Sequence, residues 1–264
     1  MSVDSYLNAL AKRLVLSDQE KESIELSIKT LKTRLISHFG NSILQQMQIG
    51  SSTRGTILPR EVDSESDIDY MIVFDTSDRK LKPQTYLNQL KRFAQQYYSS
   101  SEIYQSSPTI VLSLNHISFE LIPATNRVFF SGYKIPSPKS SWTDWTSTNP
   151  SKFCKELCEK DERNNGLILP LVRLVKYWNA QVDYPFYSYE LEKHIVEMNF
   201  IFCSTLQDYF YKFWSRLDLN SYEEDSHLEI VDEAKECISN ARKLARMGMH
   251  TYAIMEIQKI VGEL

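Results

Sequence analysis

The chain has 264 residues, 42% of them hydrophobic and 24% charged, and carries a formal net charge of −4. That length supports one well-filled core or two small ones, and the composition is that of an ordinary globular protein. The acidic balance, 34 Asp and Glu against 30 Lys and Arg, argues against long nucleic acid as the main partner, because neutralising many phosphates takes a basic surface. The opening residues, MSVDSYLNALAKRL, hold no apolar run of signal-peptide length. Leu167 to Val175, the most apolar stretch, is interrupted by Pro170 and Arg173 and is too short to span a bilayer. A cytoplasmic protein with no membrane partner is expected. Cys154, Cys158, Cys203 and Cys237 lack the spacing of a zinc-ligand set and read as reduced thiols.

In chain order, residues 20–39 form an amphipathic helix, with Ile24, Ile28, Leu31, Leu35 and Phe39 at steps of three and four and Gly40 as a stop. Gln48 and Ile49 lead into Gly50-Ser51, and a short loop or helix runs through Arg54-Gly55-Thr56. Asp67 to Phe74 (DIDYMIVF) is a strand apolar enough at its end to be central in a sheet. Tyr86 to Tyr98 steps as a helix. Thr109–Leu114 and Ile117–Ile122 alternate on either side of Asn115-His116, the pattern of a β-hairpin. Pro136, Pro138 and Pro150, with Ser137, Ser140 and Ser141 among them, mark a linker. Beyond it the pattern turns helical over 167–180, 188–214, 229–246 and 250–261. The expected class is α+β: a mixed-sheet lobe over 1–140, including the long first helix, followed by a helical lobe over 141–264 that closes a cleft.

Chemistry concentrates in two places. Asp67 and Asp69 sit two apart at the start of the strand, so both project to one face. Adjacent carboxylates repel unless a cation lies between them, and Mg²⁺ favours a few carboxylates plus substrate phosphates, with Mn²⁺ as an alternative. Gly50-Ser51 supplies the second element: a glycine permits close backbone approach, and turn amides with a hydroxyl can grip a triphosphate. Each piece alone is common; their order and the strand context carry the reading. Glu120, in ISFELIPA, alternates away from Phe119 and Leu121. The hairpin can lay it beside the Asp67–Asp69 strand as a third carboxylate, binding metal and helping an acceptor hydroxyl lose its proton.

GSSTRGTILP, SDIDYMIVF and FELIPA, followed by RLVKYWN (Arg173 to Asn179) and SYELE (Ser188 to Glu192), resemble the cGAS/DncV-like nucleotidyltransferases. This group of the polymerase-β superfamily includes the bacterial anti-phage cyclic-oligonucleotide synthases. The resemblance implies that ATP, GTP or other nucleoside triphosphates are joined, with release of pyrophosphate, into a cyclic di- or trinucleotide second messenger. It further implies that a separate effector binds the product, and that Arg54, Lys176 and Ser188 contact substrate together with Gly50 and Ser51. Many family members place Asp where this chain has Glu120, which changes reach to the metal and leaves the charge alone. From the residues themselves, Lys176 could equally lie on a solvated helix face and Ser188 could be a helix N-cap. Trp178 is expected to pack between helices. Two other readings stay open: nucleotidyl transfer to a non-nucleotide or tRNA acceptor, and a catalytically silent nucleotide-binding regulator.

Overall fold

The computed structural model describes residues 1–126, 131–217 and 225–263. Its elements are α1 (Val3–Arg13), α2 (Asp18–Phe39), β1 (Ile43–Gln48), α3 (Gly50–Arg54), β2 (Asp67–Phe74), α4 (Pro83–Tyr97), β3 (Glu102–Ser106), β4 (Thr109–Ser113), β5 (Ser118–Asn126), β6 (Tyr133–Ser137), β7 (Ser140–Thr148), α5 (Pro150–Arg163), α6 (Ile168–Gln181), α7 (Ser188–Glu197), α8 (Leu206–Arg216), α9 (Asp225–Arg246) and α10 (His250–Val261). The class is α+β, as the sequence implies. No helix among the described residues is long and apolar enough to cross a membrane.

These elements form two compact units. One comprises Leu16–Arg60 and Ser64–Lys155; the other comprises the described residues of Met1–Val15, Glu61–Asp63 and Glu156–Leu264. The sequence boundary at residue 140 differs from this division at both ends. Helix α1 belongs with the C-terminal helices because Val3, Tyr6, Leu7, Leu10 and Ala11 are buried along one face, which packs on α6, α8 and α10. Strand β7 stays with the sheet because it pairs with β6.

The first unit is built on a sheet of order β1-β2-β5-β4-β3, with β6 and β7 attached through β5. Strands β2 and β5 run parallel and the remaining pairs antiparallel. The first half of β5 pairs with β4 and its end with β6, so β5 is the central strand, flanked by β2 and β4. Period-two alternation then sorts the side chains. Ile68, Tyr70, Ile72, Phe119 and Leu121 join Leu31 and Leu35 of α2 and Leu87, Leu90 and Phe93 of α4 in the main core. Met71, Val73 and Ala124 make a smaller cluster on the other face. Helix α2 begins two residues earlier than the apolar stepping predicts because Ser17 and Glu20 form a capping box: the Glu20 amide donates to Ser17 Oγ at 3.2 Å and the Ser17 amide to Glu20 Oε2 at 2.8 Å.

Two readings need correction. The Pro- and Ser-rich stretch from 136 to 148 is the β6–β7 hairpin, turning at Pro138-Lys139 between Ser137 and Ser140. Proline suppresses the alternation signal, yet Pro136 fits opposite Trp145 beside a register shift, where a missing amide is tolerated. The single helix expected over 188–214 is two, α7 and α8, separated by Met198–Thr205. Met198 turns extended, Thr205 and Asp208 form a second capping box, and Phe202 takes a positive φ of 65°.

Candidate active site

Asp67 and Asp69 lie on the β2 face shared with Met71 and Val73. Parallel pairing sets Asp67 beside Ser118 and Asp69 beside Glu120, while β4 sets Val111 on the other side of Glu120. Phe119 and Leu121 enter the main core, so Glu120 faces the side of Asp69. The hairpin that positions it closes where expected, with Ser113 opposite Ser118 and the Leu114 amide donating to the Ile117 carbonyl at 2.9 Å.

Burial pushes the Glu120 carboxyl up to about 7, the charge of Asp69 pushes the same way, and a hydrogen bond with the Thr109 hydroxyl opposes both. A carboxylate held this close to neutrality by burial and a like charge is one that a cation would return to its ionised form. Hard oxygen donors on adjacent strand positions suit a divalent cation of the magnesium type. Their carboxylates are placed by backbone register and are not drawn to one point: among the described residues no three His, Cys, Asp or Glu side chains are grouped to hold a metal. The donor chemistry therefore fits a metal, and nothing in it selects which one.

Gly50 is tied to the same place. The Ile49 amide donates to the Asp69 carbonyl at 2.9 Å, extending the β1–β2 ladder by one bond and pinning the start of α3 against β2. Gly50 has φ +75°, and a Cβ added there would stand 1.8 Å from Asp69 Oδ2. Only glycine provides both that backbone conformation and that room. Ser51 follows in the first turn of α3, and its carbonyl accepts from the Thr56 amide at 3.0 Å. Gly55 ends the turn in the left-handed region. The Arg54 guanidinium sits 5.4 Å from the centre of the Phe153 ring.

The structure thus brings together Gly50, Asp67, Asp69 and Glu120, with Ser51 adjoining and Arg54 one turn further on. Lys176 and Ser188 belong to the helical unit. Lys176 is 6% exposed, so it is not on a solvated face, and its ammonium lies 3.9 Å from the fully buried Glu192. Ser188 is the first residue of α7 rather than its cap; Tyr187 holds the cap position without a side-chain bond. Trp178 is buried between helices as expected, edge-on to Trp214 at 4.7 Å. Thr109 was missed by the sequence reading. Its signal was available, because the hairpin register places it on the strand beside Glu120, one same-face position from Val111. Asp63, near the motif in sequence, accepts a 2.7 Å hydrogen bond from the Tyr184 hydroxyl within the helical unit.

A probable cyclic nucleotide synthase of Bacillus cereus (strain VD146) is 25% identical over 193 residues, covering 63% of this chain and 57% of the relative. The CBASS oligonucleotide cyclase CdnC of Escherichia coli (strain KTE188) is 25% identical over 210 residues, covering 75% of this chain and 58% of the relative. This chain therefore spans somewhat more than half the length of the curated relatives it matches. Among solved structures, CdnC of E. coli MS115-1 with ATP superposes over 100% of this chain and 98% of its own, with a TM-score of 0.75 at 14% identity, a likeness of fold. The family model for the Second Messenger Oligonucleotide or Dinucleotide Synthetase domain matches residues 1–161, and this chain belongs to that family.

Proposed function

We propose that the chain is a metal-dependent nucleotidyltransferase that joins nucleoside triphosphates into a cyclic di- or trinucleotide second messenger, acting in the cytoplasm in bacterial anti-phage signalling. The observation that carries the reading is the placement of Asp67, Asp69 and Glu120 on adjacent positions of two parallel strands, with Asp69 against Gly50. Family membership and the ATP present with the similar CdnC support it. The sheet unit is assigned as the catalytic lobe.

In the proposed reaction a ribose hydroxyl oxygen attacks the α-phosphorus of a bound triphosphate, the bond from that phosphorus to the bridging oxygen breaks, and pyrophosphate leaves. Asp67, Asp69 and Glu120 would hold Mg²⁺ or Mn²⁺, which supplies charge neutralisation and in-line alignment. Glu120, ionised against the metal, would help the attacking hydroxyl lose its proton. Gly50 leaves the chain room to approach the phosphates, and the Ser51 hydroxyl donates to them. Arg54, Lys176 and Ser188 are assigned to the triphosphate by family resemblance alone. Positioning and electrostatics supply most of the catalysis in such transfers, so few charged side chains suffice.

Incubating nuclease-treated protein with labelled triphosphates and Mg²⁺ or Mn²⁺ tests the reading. A short cyclic oligonucleotide, formed without added duplex DNA or RNA, is the expected product. Label on a macromolecule or a small acceptor would replace this reading with transfer to another acceptor, and binding without turnover would make the chain a silent regulator.

A further inference from the structure

We propose that the cavity between α8 and α9 is a second ligand site, built for a small phosphate-bearing anion such as an oligophosphate or a nucleotide. None of its lining residues belongs to the proposed catalytic set. The cavity has a volume of about 470 Å³ and is lined by Tyr211 and Trp214 from α8 and by Lys235, Arg242, Lys243 and Arg246 from α9. The four cations recur at offsets of seven, eight and eleven residues, which keeps them on one side of a helix over roughly 16 Å. Among the described residues no carboxylate lines the cavity, and none of the four cations is in an ion pair.

The opposite wall supplies hydrogen-bond capacity. Tyr211 is 6% exposed and Trp214 fully buried, and among the described residues the Tyr211 hydroxyl and the Trp214 indole N–H have no partner. Buried donors are ordinarily satisfied, so two in one wall mark a place where something is missing. The Arg242 guanidinium stands 5.6 Å from the Tyr211 ring centre, which joins the two walls. Asp208 also acts on Tyr211 electrostatically, but its carboxylate is occupied by the amides of Ser204 and Thr205 at 3.0 Å each. Burial pushes the Tyr211 hydroxyl up to about 12; the Arg242 charge opposes this and the Asp208 charge adds to it, so the hydroxyl stays protonated and remains a donor.

The shape selects the ligand class. Four positive charges converging on a concave, aromatic-walled pocket match an ion of several negative charges and limited length. A duplex would call for basic residues spread along an open surface, whereas these are confined to one stretch of one helix. Phosphate oxygens also suit the mix of guanidinium, ammonium and neutral donors.

The test is calorimetric titration of the full chain with inorganic tripolyphosphate in buffer free of divalent cations. ATP, citrate and a short DNA duplex serve as parallel arms. Saturable binding of tripolyphosphate or ATP is expected, weakened about tenfold or more in Lys235→Gln/Arg242→Gln, which removes two of the four charges. Tyr211→Phe, with unchanged circular dichroism, should weaken it by a smaller factor. Lys29→Gln/Lys32→Gln on α2, both exposed, should leave it as in the unaltered chain. Tighter binding of ATP that the Lys235/Arg242 variant loses would identify a nucleotide as the source, and equal loss for both compounds an inorganic oligophosphate. The proposal is overturned if tripolyphosphate and ATP do not bind at millimolar concentration, or if the Lys235/Arg242 variant retains full affinity. It is equally overturned if the α2 control weakens as much, or if citrate or the duplex binds better than either phosphate compound.

Discussion

At the residue scale, Asp69 ties the site together, because Gly50 lies against its carboxylate and Glu120 is its neighbour across the β2–β5 pairing. Replacing Asp67 and Asp69 together with Asn should abolish product while leaving the circular dichroism spectrum unchanged, since the exchange keeps volume and removes repulsion; normal turnover by that variant would remove the assignment. Gly50→Ala should be damaging twice over. The added methyl meets Asp69 Oδ2 at 1.8 Å and the backbone φ of +75° is strained for alanine, so a loss of about 1–3 kcal/mol is expected in urea unfolding, with product formation falling alongside. Glu120→Gln should cost on the order of a hundredfold in turnover with nucleotide affinity largely kept. The same variant has a stability signature. In metal-free protein the folded-state value of Glu120, about 7, lies above the ordinary 4.5, so the folded state holds the proton more tightly. Its contribution is fully present below about pH 4.5 and is lost as pH rises through 7. With chelator present, Glu120→Gln should therefore be the more stable protein near pH 8, by at most about 3 kcal/mol, and the two should converge near pH 4. The shared face of the two aspartates, and the turn of Glu120 away from the core, were legible because alternation in a strand is a local property. The need for glycine at 50 was legible only as permission; that Asp69 fills the space follows from strand pairing, which one segment does not encode.

At the element scale, what the sequence concealed was where regular structure stops. Residues 188–214 step as one helix, and the break at Met198–Thr205 depends on partners elsewhere: the Lys160 ammonium donates to the Met198 carbonyl, satisfying one end of α7. The other end is local, because Thr205 and Asp208 cap α8 reciprocally, a capping-box variant with Asp in place of Glu or Gln. Thr205→Ala should lower stability by about 1 kcal/mol, read as a shift in the urea midpoint at constant slope. A continuous helix would not notice the loss of that hydroxyl, so an unchanged midpoint would count against the break. Strands β1 and β3 went unassigned for a related reason. Each lies at an edge of the β1-β2-β5-β4-β3 path and carries polar residues on exposed positions, so neither shows the apolar run that announced β2.

At the scale of the whole molecule, the order of strand and helix patterns pointed to the right class, and the apolar stepping located most of the helices, but the sequence boundary at 140 reflects an assumption that units are contiguous. They are not: α1 completes the helical unit from the far end of the chain. The information for this is present in residues 3–14, where Val3, Tyr6, Leu7, Leu10, Ala11 and Leu14 recur at helical steps, each 3% exposed or less. Periodicity announces a buried face without saying what buries it. Here the Tyr6 hydroxyl donates to the Gly262 carbonyl, and the Gln207 amide donates to Asp4 Oδ1 at 3.0 Å, so both ends of the described chain meet in one unit. A buried leucine in such a position is held by packing and by nothing covalent or ionic. Leu7→Ala should therefore destabilise the protein by about 2–5 kcal/mol through lost burial and the cavity left behind. Because α1 packs on α6, α8 and α10, hydrogen exchange should quicken along those helices and not in β2 and β5. Uniform quickening across both units would show that the two unfold as one cooperative body, and an unchanged pattern in α6, α8 and α10 would show that α1 contributes little to holding them.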